Sequence, residues 1–267
     1  MIEGINIRCN LGPFEVLRSP RIRLVYRRAA VVTRAEIDVP DPDGKMSVAL
    51  QKKQAVVVRF GYRGGGNFWH EWKGTISGQQ QSGNNTLRIL AVGQEQKLLD
   101  TRVIQSFQGE PAKVVAERLL AFTGLPMGEI NIPADVLPHI VFSDVTVARA
   151  IKQLEQSLER SFGYDFSRHS LWLGQNGLTW SDADEPGPTY VIATAENLIS
   201  HDPAENPAGL KQITSVPLPG LTHSRKVRIR DTTRQLSEVV RAQEVYHELS
   251  AAGNRTIVLY GKERGWS

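Results

Sequence analysis

The stretch SDVTVARAIKQLEQSLERSFGYDFSRHSLWL (Ser143–Leu173) carries the most decisive pattern in the chain. Val147, Ile151, Leu154 and Leu158 recur at i, i+4, i+7 and i+11, the spacing of one face of an α-helix. Ser143 is a natural N-cap ahead of this stripe, and Gly163 is a natural stop behind it. So regular an apolar stripe reads as a core face. Glu155 and Glu159 lie four apart beside Lys152 and Arg160, which reads as an ion-pairing solvent face rather than a catalytic acid and base. Past the helix, Tyr164–Phe166 and Ser170–Leu173 read as a short hairpin.

Upstream, Pro111 and Gly124 bracket a second helix in which Val115, Leu119 and Phe122 share one face. Residues 22–92 read as β-structure. Val31–Val39 is one strand, and PDPDGK (Pro40–Lys45) closes a turn. AVVVRFGY (Ala55–Tyr62) is rich in β-branched and aromatic residues. Gly64, Gly65 and Gly66 break the chain before a returning strand over Phe68–Ser77, and QQQSGNN turns it into Thr86–Val92. Such a meander of hairpins suits a small barrel or sandwich.

Downstream, Pro186–Pro219 is proline-rich with short strands at Tyr190–Ala193 and Asn197–Ser200. KVRIR (Lys226–Arg230) alternates basic and apolar residues, as a half-buried strand does. Leu236–Leu249 is ambiguous: its composition favours helix, yet Val239, Arg241, Gln243, Val245 and His247 would share one face of a strand. Gly253 and Asn254 form a turn before a firm strand at Thr256–Tyr260.

Composition bounds the function. The 267 residues are 40% hydrophobic and 22% charged, as in an ordinary globular protein, and no apolar run approaches the ~20 residues that cross a bilayer. The N-terminus lacks the basic and apolar regions of a secretory signal. Cys9, the single cysteine, excludes internal disulfides and fits folding in a reducing cytoplasm. Net charge is +4 with a pI near 9.2, and the basic residues cluster at Arg8–Arg34, with seven arginines, and again at Arg225–Arg241. Without an accompanying nucleic-acid motif, these clusters read as solvated strand faces or as ion pairs to a neighbouring subunit.

Catalytic patterns are missing. His70, His139, His169, His201, His223 and His247 show no metal-ligand spacing. Asp38, Asp41, Asp43 and Gly44 resemble a calcium loop only at a glance, since Val39 and Leu50 occupy two ligand positions, and a surface turn is the better reading. Gly61–Gly66 matches no phosphate-binding loop, and no GxSxG elbow occurs. His247 beside Tyr246 reads as a hydrogen-bonded structural histidine. Trp69, Trp72 and Trp172 could stack sugars or bases, but aromatic residues on strands usually serve packing.

Taken in order, these segments resemble the late control protein D family, the hub proteins of contractile phage tails related to the base of the type VI secretion spike. Ser143–Leu173 is similar to the family's central helix and following strand. AVVVRFGYRGGGNFWHEWKGTI resembles its strand, Gly-Tyr turn and returning strand, and TRVIQSFQGEPAKVVAERLLAFTGL its linker, turn and first helix. VVRAQEVYHELSAAGNRTIVLYG resembles its closing hairpin, which favours strand for Leu236–Leu249. The chain is short for the family and stops after the second barrel at Ser267, implying a hub without a fused spike or lysozyme-like domain.

The resemblance implies an α+β, mainly β, fold with two tube-type antiparallel β-barrels. The expected division is a first barrel at 1–100, a helix-containing insert at 101–185 and a second barrel at 186–267, with later strands available to complete the first barrel. Strands around Val56–Phe60 and Val227–Arg230 would play equivalent parts. The implied function is that of a non-enzymatic baseplate hub in the virion tail, assembled in the host cytoplasm. A homotrimer would adapt the sixfold tube to the threefold spike and line the channel. Its partners would be the tube, spike and tape-measure proteins and transiting DNA without specific binding, with no cofactor, no metal and no membrane insertion. Arg228 and Arg230 are the candidate subunit-interface or lumen residues. Two alternatives stand beside this: a nucleic-acid-binding β-barrel and a tail-tip cell-wall hydrolase.

Overall fold

The computed structural model describes residues 4–16, 20–62, 70–83 and 85–266. The glycine break at Gly64–Gly66, and Phe68 and Trp69 after it, lie outside them. The chain forms two compact units. One comprises residues 1–27, 33–94 and 184–262, the other residues 28–32, 95–183 and 263–267. No helix among the described residues is long and apolar enough to cross a membrane.

The first unit begins with β1 (Ile5–Leu11), β2 (Phe14–Val16), β3 (Arg21–Arg27), β4 (Arg34–Pro40), a short α1 (Lys45–Ala49), β5 (Ala55–Tyr62), β6 (His70–Gln81) and β7 (Thr86–Gly93). Alternation places the core residues. In β5, Val56, Val58 and Phe60 are fully buried, because successive side chains on a strand point to opposite faces. The strand expected to begin at Val31 starts at Arg34. The Pro40–Lys45 turn leads into α1, where the buried Asp41 carboxylate accepts the Met46 and Ser47 amides at 3.0 and 2.9 Å. Gly44 adopts φ +68°, so this acidic loop is a helix-capping turn.

The second unit contains α2 (Lys97–Asp100), β8 (Arg102–Pro111), α3 (Ala112–Ala121), β9 (Met127–Ile130), β10 (Val136–Thr146), α4 (Val147–Phe162), β11 (Ser170–Gly174) and β12 (Gly177–Ser181). Val147, Ile151, Leu154 and Leu158 are all buried in one core with Phe107, Phe142 and Trp180. Gly163 ends α4 at φ 75°, but its N-cap is Thr146, whose hydroxyl accepts the Arg149 amide at 3.3 Å. Ser143 belongs to β10. A bulge between Phe142 and Val145, with Asp144 at φ 52°, prolongs the strand past it, and Arg102 holds Asp144 through both its carboxylate and its carbonyl. Ser170–Gly174 pairs with Gly177–Ser181, not with Tyr164–Phe166, which is coil.

The first unit resumes with β13 (Tyr190–Ala193), β14 (Leu198–Asp202), β15 (Leu210–Ser215), β16 (Lys226–Asp231), β17 (Leu236–Ser250) and β18 (Gly253–Gly261). The ambiguous segment is therefore a strand of 15 residues. Its first part pairs with β16, and its second part lies between β18 and β3. One core cluster draws on strands from both ends of the chain, including Val58, Ile89, Ile229 and Val258. The fold is mainly β and mainly antiparallel.

A register shift between Ala242 and Glu244 reverses the inward face of β17. Before it Val239 points outward, half exposed; after it Val245 and His247 are fully buried. The five residues expected to share a face are split by this bulge.

Candidate assembly surface

Lys226–Asp231 alternates as its sequence suggests: Val227, Ile229 and Asp231 are buried, while Lys226, Arg228 and Arg230 are exposed. The strand lies between β13, which runs parallel to it, and the first half of β17. Arg228 is in register with Val191 on one side and Val239 on the other, and Arg230 with Ala193 and Ser237. Register partners share a face, so Arg228 sits between two exposed aliphatic side chains. Neither Arg228 nor Arg230 has an ion-pair partner among the described residues.

The third basic residue of the strand is compensated. Asp184 accepts from Arg241 at 2.5 Å and lies 3.2 Å from Lys226. Desolvation would push the Asp184 carboxyl up, but the hydrogen bonds from Arg241 and Lys226 outweigh it and hold it below its usual range. Of the three exposed basic residues of the strand, Arg228 and Arg230 are the two with no carboxylate partner among the described residues.

Beneath that face a buried polar network fixes the strand. His201 on β14 bonds Asp231 on β16 through Nδ1 and the Tyr260 hydroxyl on β18 through Nε2, each at 2.7 Å. Arg234 adds a 3.0 Å contact to Asp231. Burial opposes ionisation of Asp231, yet the bonds from His201 and Arg234 prevail and lower its pKa. The outer edge of β13 is closed by one side chain: the Asn197 amide donates to Val191 O at 2.8 Å and accepts from the Ala193 amide at 2.8 Å. An amide satisfying strand backbone in this way occupies groups that edge-to-edge pairing would use. Neither Asn197 nor Asp184 stood out in the sequence: Asp184 acts through Lys226 and Arg241, which only the fold brings to it, and Asn197 through backbone groups four and six residues away.

The other singled-out residues are structural. Trp72 and Trp172 are buried, and the Trp72 indole donates to Thr33 Oγ1 at 2.9 Å, so neither offers a stacking platform. Glu155 is not on a solvent face. It is buried in the second unit, where Lys152 contacts it at 2.6 Å and the Trp266 indole donates to it at 2.8 Å. Burial pushes its carboxyl up, and these bonds only partly offset that. His247 is fully buried and hydrogen-bonded through both nitrogens. Among the described residues no group of His, Cys, Asp and Glu could hold a metal ion.

No protein-family model matches the chain, and no curated protein matches it by sequence. Solved structures do. The 43 kDa tail protein of prophage MuSo2 from Shewanella oneidensis superposes with a TM-score of 0.67 at 11% identity, over 98% of this chain and 99% of that one. A tail protein from Neisseria meningitidis gives 0.64 at 14% identity, over 97% of each chain. An E. coli component of the type VI secretion system, itself structurally similar to phage tail proteins, gives 0.63 at 10% identity, over 98% of this chain and 80% of that one. The chain therefore has the fold of phage tail proteins and of a type VI secretion component.

Proposed function

We propose that this protein is the structural hub of a phage or phage-like tail, a trimer that adapts the sixfold tube to the threefold spike and lines the central channel. The observation that carries this reading is the end-to-end match to two tail proteins, each spanning nearly all of both chains. In this reading residues 1–100 and 186–267 supply two tube-type barrels per subunit and residues 101–185 the insert. Three copies then present six near-equivalent barrels in a ring. The tail tube, spike and tape-measure proteins are the partners, DNA passes without specific binding, and the site of action is the baseplate of the virion, assembled in the host cytoplasm.

Arg228 and Arg230 line a subunit interface or the lumen. Their unpaired charge beside exposed Val191 and Val239 supports this: a face with spare cations and aliphatic contacts is more stable when covered by a carboxylate-bearing neighbour. Interfaces of obligate assemblies commonly exceed ~2,000 Å². The test is cryo-electron microscopy of the assembled tail tip. Three copies, each with two barrels at nearly equal radius, are expected; six copies with one barrel each would overturn the proposal.

A further inference from the structure

Between β15 and β16 the segment Leu218–Leu221 is held by two buried histidines. The Gly220 amide donates to His70 Nδ1 at 3.0 Å, so the ring proton of His70 sits on Nε2, 2.5 Å from the Tyr26 hydroxyl. His247 Nε2 donates to Leu221 O at 2.8 Å, and its Nδ1 accepts from the Thr256 hydroxyl at 2.9 Å. Thr256 Oγ1 in turn accepts the Leu218 amide at 2.9 Å. Backbone groups of Leu218, Gly220 and Leu221 thus depend on two neutral imidazoles, each in one tautomer.

The two rings lie 5.1 Å apart between centroids. Phe60 from β5 packs on both, at 4.9 and 5.0 Å, and Tyr26 from β3 meets both edge-on, at 5.6 and 5.8 Å. Thr256 faces His247 from β18. No carboxylate or guanidinium contacts either ring among the described residues.

We propose that His70 and His247 form an acid-sensitive clasp, which frees Leu218–Leu221 when either ring takes a second proton. A proton on His70 Nδ1 would face the Gly220 N–H donor to donor. One on His247 Nδ1 would reverse the bond with Thr256, whose hydroxyl proton would then have to turn away from the ring inside a buried site. Two cations at this spacing in a dry interior would also repel. In keeping with this, burial holds His247 down to about 4, and burial together with neighbouring His247 holds His70 well below its ordinary value. The sign follows. An opened segment exposes rings with ordinary pKa near 6.5, so the open state binds protons first. Opening therefore grows as pH falls from about 6.5 and levels near the closed-state value.

The test is amide hydrogen exchange of the full chain by NMR from pH 7 to pH 4, corrected for intrinsic exchange. Opening at Leu218 and Gly220 should rise by roughly 10- to 100-fold per pH unit, for one or two protons, and outpace exchange at Val56–Phe60 in the core. The variant His70→Gln/His247→Gln, whose amides do not titrate, should flatten that slope. Should the variant not fold, imidazole 15N shifts of the wild-type protein serve instead, with both rings expected neutral and Nε2-protonated at pH 6. Loop amides that exchange only as fast as Val56–Phe60, a slope unchanged in the variant, or an imidazolium signal at pH 6 would each overturn the proposal.

Discussion

Strands β3 and β16 share a sequence pattern, RIRLVYR against KVRIRD, and both bury their apolar residues while exposing basic ones. Their outer faces nevertheless differ in charge balance. On β3, Arg23 and Arg27 are in register with Glu248 and Glu244 of β17, with ion-pair distances of 3.7 and 3.1 Å, and both guanidiniums lie over the Tyr246 ring. On β16, Arg228 and Arg230 face Val191, Val239, Ala193 and Ser237, which return no charge. Arg23 and Arg27 are compensated within the chain, whereas Arg228 and Arg230 are not. Alternation says which residues point outward; the cross-strand neighbour says whether they are spare.

The harshest test of the comparison ignores charge and strikes the shared inner face. Ile229→Asp and Leu24→Asp should both abolish soluble expression, since an unpaired buried carboxylate costs several kcal/mol against a total stability of ~5–15. Ile151→Asp, in the α4 stripe, should do the same. A soluble variant with a wild-type melting temperature would show that the face concerned is not core.

Charge reversal should then separate the two outer faces. Arg228→Glu/Arg230→Glu is expected to melt within about 0.5 kcal/mol of wild type yet weaken tail-tip assembly at least tenfold at low salt. Normal assembly of this variant at both low and high salt would remove β16 from the interface.

The face can also be converted into its counterpart. Val239→Glu sets a carboxylate opposite Arg228, as Glu248 stands opposite Arg23, and should add roughly 0.2–1 kcal/mol of stability while weakening assembly. Thermal melts together with an assembly assay read both effects; a gain in assembly would contradict the idea of a carboxylate-bearing neighbour.

The smallest effect belongs to the satisfied face. A double-mutant cycle on Arg27→Ala and Glu244→Ala should return a coupling of about 0.2–1 kcal/mol, because the pair is partly exposed. A coupling of several kcal/mol would mean that the β3 face is more deeply covered than its accessibility indicates.

What could be read without tertiary structure was whatever depends on periodicity within one element. The α4 stripe, the alternation of Ala55–Tyr62 and Lys226–Arg230, and the stop at Gly163 are properties of a helix or strand whose side chains repeat at fixed angles, so residue order suffices. The resemblance to tail hubs drew on the order of such elements. Only the folded chain decided what depends on partners far apart in sequence. The bulge after Ala242 turns Val239 outward and His247 inward although both sit at odd positions. Glu155 is buried where the indole of Trp266, 111 residues away, donates to it. Arg228 and Arg230 could be named from alternation as outward-facing, but that they lack partners was set by the residues β13 and β17 place beside them. A local pattern fixes the direction of a side chain; its electrostatic balance belongs to the neighbours that long-range pairing brings within about 5 Å.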